Sequence, residues 1–147
     1  MFLSGEELKK YVDGIVHEET QLAETGMDLT VNNVKKPTSA TELDFGGGEE
    51  KPGNLEIIEP KKRSTEDKYG WWKLDGGIYI IDFNEDVSVS EGLGFIVPLA
   101  RLTSGGSFHP TLLVDGNMDS SPILHVSSSG LNIKENARLS RLMVWTR

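Results

Sequence analysis

Two aspartates occupy positions from which a carboxylate could do chemistry. In Pro110-Thr111-Leu112-Leu113-Val114-Asp115-Gly116-Asn117, an apolar strand runs straight into Asp115, and Gly116-Asn117 supplies a tight turn. A carboxylate at the end of a buried strand can serve as a general base, because packing holds its rotamer. Asp before Gly-Asn is equally ordinary turn chemistry. In Thr25-Gly26-Met27-Asp28-Leu29, Asp28 sits between two apolar residues, as an aspartate that fixes backbone or meets a cation would. An ordinary turn-to-strand junction has the same pattern. The other reactive side chains point to less. His17, His109 and His125 show no paired ligand spacing, and His125 lies in the strand pattern Ile123-Leu124-His125-Val126. The chain has no cysteine, which removes disulfides, thiolate metal sites and cysteine nucleophiles together. There is no GxxxxGK[ST] phosphate loop and no Gly-x-Ser-x-Gly elbow.

The elements that must position these residues are short. Ser4-Gly5-Glu6-Glu7 is a capping-box pattern, and Leu8, Tyr11, Val12 and Ile15 follow at helical spacing until Gly14 weakens the helix. From Met27 to Val31 apolar and polar residues alternate, as in a strand. Residues 37–53 carry few apolar side chains and a Gly triplet, and read as an exposed loop. Leu55 to Ile58 is a short strand, and Pro60-Lys61-Lys62-Arg63 reads as a solvated connection rather than a phosphate site. Trp71-Trp72 puts one indole on each face of a strand, one for the core and one for a loop or partner. Asp75-Gly76 predicts a hairpin joining Trp71–Leu74 to Ile78–Phe83. Val87 with Val89, Leu93–Val97, Thr111–Val114, Ile123–Val126, Leu131–Ile133 and Leu139–Trp145 complete a set of short strands. Such a set predicts a compact all-β barrel or sandwich with one short N-terminal helix.

Composition bounds the partners. With 147 residues the chain fits a single domain spanning 1–147. Its 15 Lys plus Arg against 23 Asp plus Glu leave a formal charge of −8. That charge disfavours coating a nucleic-acid backbone, yet leaves room for a local basic cluster around a small phosphorylated ligand. No apolar run reaches the roughly 18 residues of a membrane span. The N-terminal stretch lacks the pattern of a signal peptide, so a cytoplasmic location is expected. Apolar residues on both faces of Leu93–Val97 and Leu139–Trp145 predict self-association.

Taken together and in order, these segments resemble the dUTPase and dCTP deaminase superfamily. Phe2 to Leu8 resembles the start helix of the deaminase branch, and Thr25 to Leu29 its first motif. Phe95 to Ser120 resembles the run from the second motif into the third, with Leu113-Val114-Asp115-Gly116-Asn117 as the segment ending in an aspartate and a tight turn. Asn136-Ala137-Arg138-Leu139-Ser140-Arg141-Leu142 resembles the fourth motif. The resemblance implies a β-clip fold, a small distorted barrel forming a homotrimer with active sites at subunit boundaries. It implies hydrolysis of a deoxynucleoside triphosphate, dUTP to dUMP and pyrophosphate, with Mg²⁺. Asp115 would then activate water, Asp28 would stand on the metal side, and Arg138 would be the fourth-motif arginine. Asn117 and Met118 would line the base and sugar, and Arg101 would supply phosphate contacts.

The family pattern is not fully met. The second motif, Arg-Ser-Ser in the family, is Leu99-Ala100-Arg101, or Arg101-Leu102-Thr103-Ser104 with a shift of two. Arg141 replaces the fourth-motif Gln, where it either substitutes for the second-motif arginine or pairs with Asp115. Met118 replaces an aromatic, His125 replaces the deaminase glutamate, and the Gly-rich fifth motif is missing before Arg147. Three readings stay open: a hydrolase with a degenerate site, a catalytically silent nucleotide-binding or structural trimer, and, least favoured by His125, a dCTP deaminase-type enzyme.

Overall fold

A computed structural model describes residues 1–146. Ser4 caps a single helical turn, α1 (Gly5–Leu8), through the full capping box with Glu7. A 3₁₀ turn (Lys9–Tyr11) follows, and then β1 (Val12–Asp13) pairs with β6 (Asp86–Pro98) through Val12↔Val87. The predicted helix therefore stops early. Val12 gains a ladder partner in place of another helical turn, and Gly14 then turns away at φ 83°. A second single turn, α2 (Glu18–Gln21), leads into β2 (Met27–Pro37). The remaining elements are β3 (Leu55–Ile58), β4 (Trp71–Leu74), β5 (Gly77–Phe83), α3 (Ala100–Thr103), β7 (Leu112–Asn117), β8 (Ile123–Val126), β9 (Leu131–Lys134) and β10 (Arg138–Trp145).

Eight strands form one antiparallel sheet along the path β1-β6-β10-β2-β5-β8, with β3 added to β2 and β7 added to β6. The sheet curls into a half barrel, which bears out the expected all-β, β-clip class. Its concave side buries Leu29, Val31, Ile81, Ile96, Leu124, Leu142 and Val144, all with no more than trace exposure. β4 and β9 form a separate two-stranded sheet whose Trp72, Leu74 and Ile133 close the core.

Asp75-Gly76 accordingly does not make the predicted hairpin, since β4 pairs with β9 and β5 with β2 and β8. Trp72 on β4 stands opposite Ile133 on β9, and both are buried in the core. The two segments read as Val87–Val89 and Leu93–Val97 are one continuous strand, β6. It is bent where its pairing with β7 shifts between Val89 and Gly94, and Gly92 takes φ 110° at that bend. Residues 37–53 are exposed apart from the half-buried Asp44 and Gly53, with Phe45 fully in solvent. No helix among the described residues is long and apolar enough to cross a membrane.

Candidate functional site

Asp28 is the centre of the most organised charge cluster. Its side chain is 3% exposed, and each oxygen accepts from a different guanidinium. Arg138 donates through Nη1 to Oδ2, and Arg141 through Nε to Oδ1, both at 2.9 Å. Strand periodicity alone would put residues 138 and 141 on opposite faces. A bulge between Arg138 and Ser140 shifts the register, Leu139 and Ser140 are both buried, and the two arginines come to the same side. Arg141 is the direct cross-strand partner of Asp28. Arg141 therefore pairs with Asp28 and not with Asp115. Both arginine side chains keep about a third of their surface in water, 35% and 36%, and neither side chain donates to another group among the described residues.

A second set of buried groups holds this strand in place, and nothing in the residue pattern announced it. Glu85, 1% exposed, lies in the connection between β5 and β6. It accepts from the Thr30 backbone at 2.7 Å, the Thr30 hydroxyl at 2.6 Å and Gln21 Nε2 at 2.9 Å. Gln21 Nε2 also donates to the Asp28 carbonyl at 2.9 Å. Asn84 next to it bonds Thr30 Oγ1 and Asn136 Oδ1, both at 2.8 Å, which ties β2 to the turn before Arg138. A buried carboxylate with three donors is satisfied and rigid. In the sequence, Asn84-Glu85 has the composition of any polar connection.

Arg101 sits on α3 and is exposed. It shares with Arg138 the wall of a cavity of about 440 Å³, together with Trp71, Asn132 and Asn136. Asp115, Asn117 and Met118 line a different, smaller cavity of about 210 Å³. Asp115 is exposed and lies inside β7, not at the end of a buried strand, because β7 continues through Asn117 with Gly116 at φ 77°. Asn117 Oδ1 accepts from Ser88 Oγ at 2.7 Å, Met118 N donates to the Val87 carbonyl at 3.0 Å, and the Met118 side chain packs on the core.

Within one chain the two groups stay apart. β6 separates β7 from β10, with Val114 opposite Gly94 and Arg141 opposite Val97. At about 4.8 Å per strand and 3.3 Å per residue, Asp115 and Arg141 are roughly 15 Å apart.

His109, in the connection that precedes β7, reaches across to β10. It is 2% exposed, its Nδ1 lies 2.7 Å from the Pro110 carbonyl, and its Nε2 lies 2.7 Å from Ser140 Oγ. A carbonyl can accept but not donate, so Nδ1 carries the proton and Nε2 accepts from Ser140. Burial lowers the His109 pKa, and the bond to Pro110 offsets part of that. His125 is stacked flat on Phe108, centroids 4.8 Å apart, as a partly buried strand residue.

Mg²⁺ does not suit these residues as a protein-built site. Both Asp28 oxygens are engaged by guanidinium groups, and no three His, Cys, Asp or Glu residues gather among the described residues. The Asp28 donor set is that of an arginine holder.

No family model matches the chain. Over 98% of its length it is 30% identical to a protein of Methanosarcina mazei named "Probable deoxyuridine 5'-triphosphate nucleotidohydrolase", of which it covers 87%. A protein of the same name from Methanosarcina acetivorans is also 30% identical, and one from Aeropyrum pernix 29%, each over 98% of this chain and 87% of the relative. Among solved structures, 2'-deoxycytidine 5'-triphosphate deaminase from Agrobacterium tumefaciens superposes with a TM-score of 0.67 at 13% identity. That match takes in 97% of this chain and 47% of the deaminase, and it shows a shared fold. With full-length relatives at 30% identity and this sheet beneath them, the chain belongs to the dUTPase and dCTP deaminase superfamily.

Proposed function

We propose that the chain is a dUTPase-like hydrolase that converts dUTP to dUMP and pyrophosphate, taking the triphosphate as its Mg²⁺ complex. The observation that carries this reading is the pair Arg138 and Arg141, both fixed on one buried carboxylate while about a third of each side chain stays in water. Two guanidiniums on one Asp28 leave a net positive charge, and planar guanidinium donors match phosphate oxygens. Arg101 adds a third cation on the wall shared with Arg138. These groups would stabilise the charge that grows on the leaving pyrophosphate.

Asp115 is the proposed base. It accepts a proton from the attacking water as the water oxygen bonds to the α-phosphorus and the bond from that phosphorus to the bridging oxygen breaks. Asn117 and Met118 would line the nucleoside, and the flexible Met118 would discriminate between bases more loosely than a ring. The separation of Asp115 from the arginines within one chain supports a site shared between subunits, and the proposed assembly is the homotrimer that the family resemblance implies.

The test is pyrophosphate release from each deoxynucleoside triphosphate with Mg²⁺. Hydrolysis of dUTP that disappears in Asp115→Asn, with fold and assembly retained, is the expected result. Equal turnover in the Asn variant would remove Asp115 from the mechanism. No turnover of any triphosphate would replace the hydrolase with a silent nucleotide-binding or structural member of the superfamily.

A further inference from the structure

The basic run at residues 61–63 is not a free loop. The Lys61 backbone is bonded to Trp71 in both directions, at 2.9 and 2.8 Å. Trp72 Nε1 donates to the Ile58 carbonyl at 2.7 Å, just before the run begins. The approach depends on Gly70, where a Cβ would meet Lys61 backbone atoms at 3.0 Å. Gly70 is itself held by Glu135, whose carboxylate accepts from the Gly70 backbone at 2.6 Å.

This arrangement collects cations on one face. Trp71 and Lys73 alternate outward on β4 while Trp72 and Leu74 turn into the core. On β9, Asn132 and Lys134 are outward and Ile133 is buried, with Trp71 opposite Lys134 and Lys73 opposite Asn132. Lys61 is the bridge partner of Trp71 on the other side. Arg63 stacks on the Trp71 indole, its guanidinium carbon 3.6 Å from the ring centroid, and Lys134 Nζ is 5.8 Å from the same centroid. A stacked guanidinium keeps its in-plane donors free for a ligand. Lys61, Lys62, Arg63 and Lys73 line one cavity of about 600 Å³, in which Glu59 is the one acidic residue. None of Lys61, Lys62, Arg63, Lys73 and Lys134 forms an ion pair among the described residues.

Like charges gathered on a sheet face repel one another. This chain has eight more acids than bases from which to draw counter-charges, yet the cavity holds only Glu59, with Glu135 beside it engaged on the Gly70 backbone. We infer that the Lys61–Arg63 segment and the outer face of β4 and β9 form an anion site for a condensed phosphate, either pyrophosphate or the triphosphate chain of a nucleotide. A compact anion fits the concave, locally positive cavity, whereas a long polyanion would run out over an acidic surface. The site is distinct from the Asp28 arginine pair. It adjoins the cavity of Arg101 and Arg138, because Trp71 and Asn132 line both.

The experiment is calorimetric titration of the whole chain with pyrophosphate, tripolyphosphate, ATP and a single-stranded oligonucleotide at low salt. It is run on the unchanged protein, on Lys73→Gln, on Arg63→Gln with Lys73→Gln, and on Arg138→Gln. The expected result is condensed-phosphate binding that weakens at least tenfold in the double variant, weakens partly in Lys73→Gln, and persists in Arg138→Gln. Persistence in that last variant separates this site from the proposed catalytic one, so either can fail without the other. Tighter binding of ATP than of tripolyphosphate would assign the nucleotide as the source of the phosphate, and equal or weaker binding the free anion. No binding at millimolar anion, binding indifferent to Arg63 and Lys73, or oligonucleotide binding tighter than tripolyphosphate on the same residues would each overturn the inference.

Discussion

Asp28 and His109 are both buried and both fully bonded, but they respond to change in different ways. Asp28 balances two arginines that stay partly in water. Asp28→Ala removes the charge and leaves guanidiniums that can rehydrate, so the loss is smaller than for a wholly buried pair. A cost of about 2 kcal/mol in denaturant unfolding is expected. Nucleotide affinity should fall further than stability, because both arginines lose their orientation. His109 is neutral in the fold, with a pKa lowered mainly by burial. The unfolded chain takes up a proton near the ordinary histidine pKa, and the folded chain resists it. The stability held by neutral His109 is therefore complete above that pKa and is lost as pH falls toward the depressed folded value, with a slope of at most about 1.4 kcal/mol per pH unit. Melting temperatures measured from pH 7 to pH 5 should drop less steeply in His109→Gln than in the unchanged protein. A parallel drop in both would place the pH sensitivity elsewhere.

Strand β10 is the element on which the candidate site depends. Its bulge brings Arg138 and Arg141 to one side, and its outer residues line a face shared with β6. The bend in β6 at Gly92 matters as much. A Cβ there would collide with the Trp145 carbonyl of β10, and φ 110° strains any L side chain. Gly92→Ala should destabilise the fold by about 2 kcal/mol or more, read as a lower unfolding midpoint. Ser4→Ala, which opens the capping box, should cost about 1 kcal/mol.

Alternation and caps made the sheet legible from residues alone, since β2, β3, β7, β8, β9 and β10 fall on the apolar runs that predicted them. What alternation could not convey was pairing. Asp75-Gly76 has the chemistry of a hairpin turn, yet β4 pairs with β9 in one sheet while β5 lies between β2 and β8 in the other. The bulge in β10 was equally hidden, because it depends on the burial of both Leu139 and Ser140. Asp28 stands out by its place between two apolar residues, and Arg138 and Arg141 only through the family resemblance; the bonding among the three is legible in neither. Glu85 was missed because its three donors come from Gln21 and Thr30, more than fifty residues away in sequence.

At the scale of the whole molecule, the outer surface of the half barrel is unfinished as a monomer surface. Met143, Phe95 and Leu113 stand in register across β10, β6 and β7, all on the side away from the core. Trp145 and Phe2 extend the row, their rings edge to face at 5.0 Å, and Phe2 meets Phe95 at 6.5 Å. Leu113 is 67% exposed, Trp145 48% and Phe2 40%. A contiguous apolar row of this kind marks an interaction surface, because leaving it in water forgoes the burial energy of several large side chains. Asp115 shares this outward side with Leu113, two residues apart on β7, and Arg141 shares it with Met143 on β10. Association through this face would therefore carry the Asp115 strand of one chain toward the arginines of another, which one chain alone does not accomplish. Light scattering at micromolar concentration should return three times the 16.2 kDa chain mass. Leu113→Glu should convert the protein to single chains that remain folded, because Leu113 contributes little to the monomer core, and should abolish triphosphate hydrolysis with Asp115 untouched. A monomeric mass for the unchanged protein, or full activity in a monomeric Leu113→Glu variant, would show that each chain assembles its own site and would end the shared-site proposal.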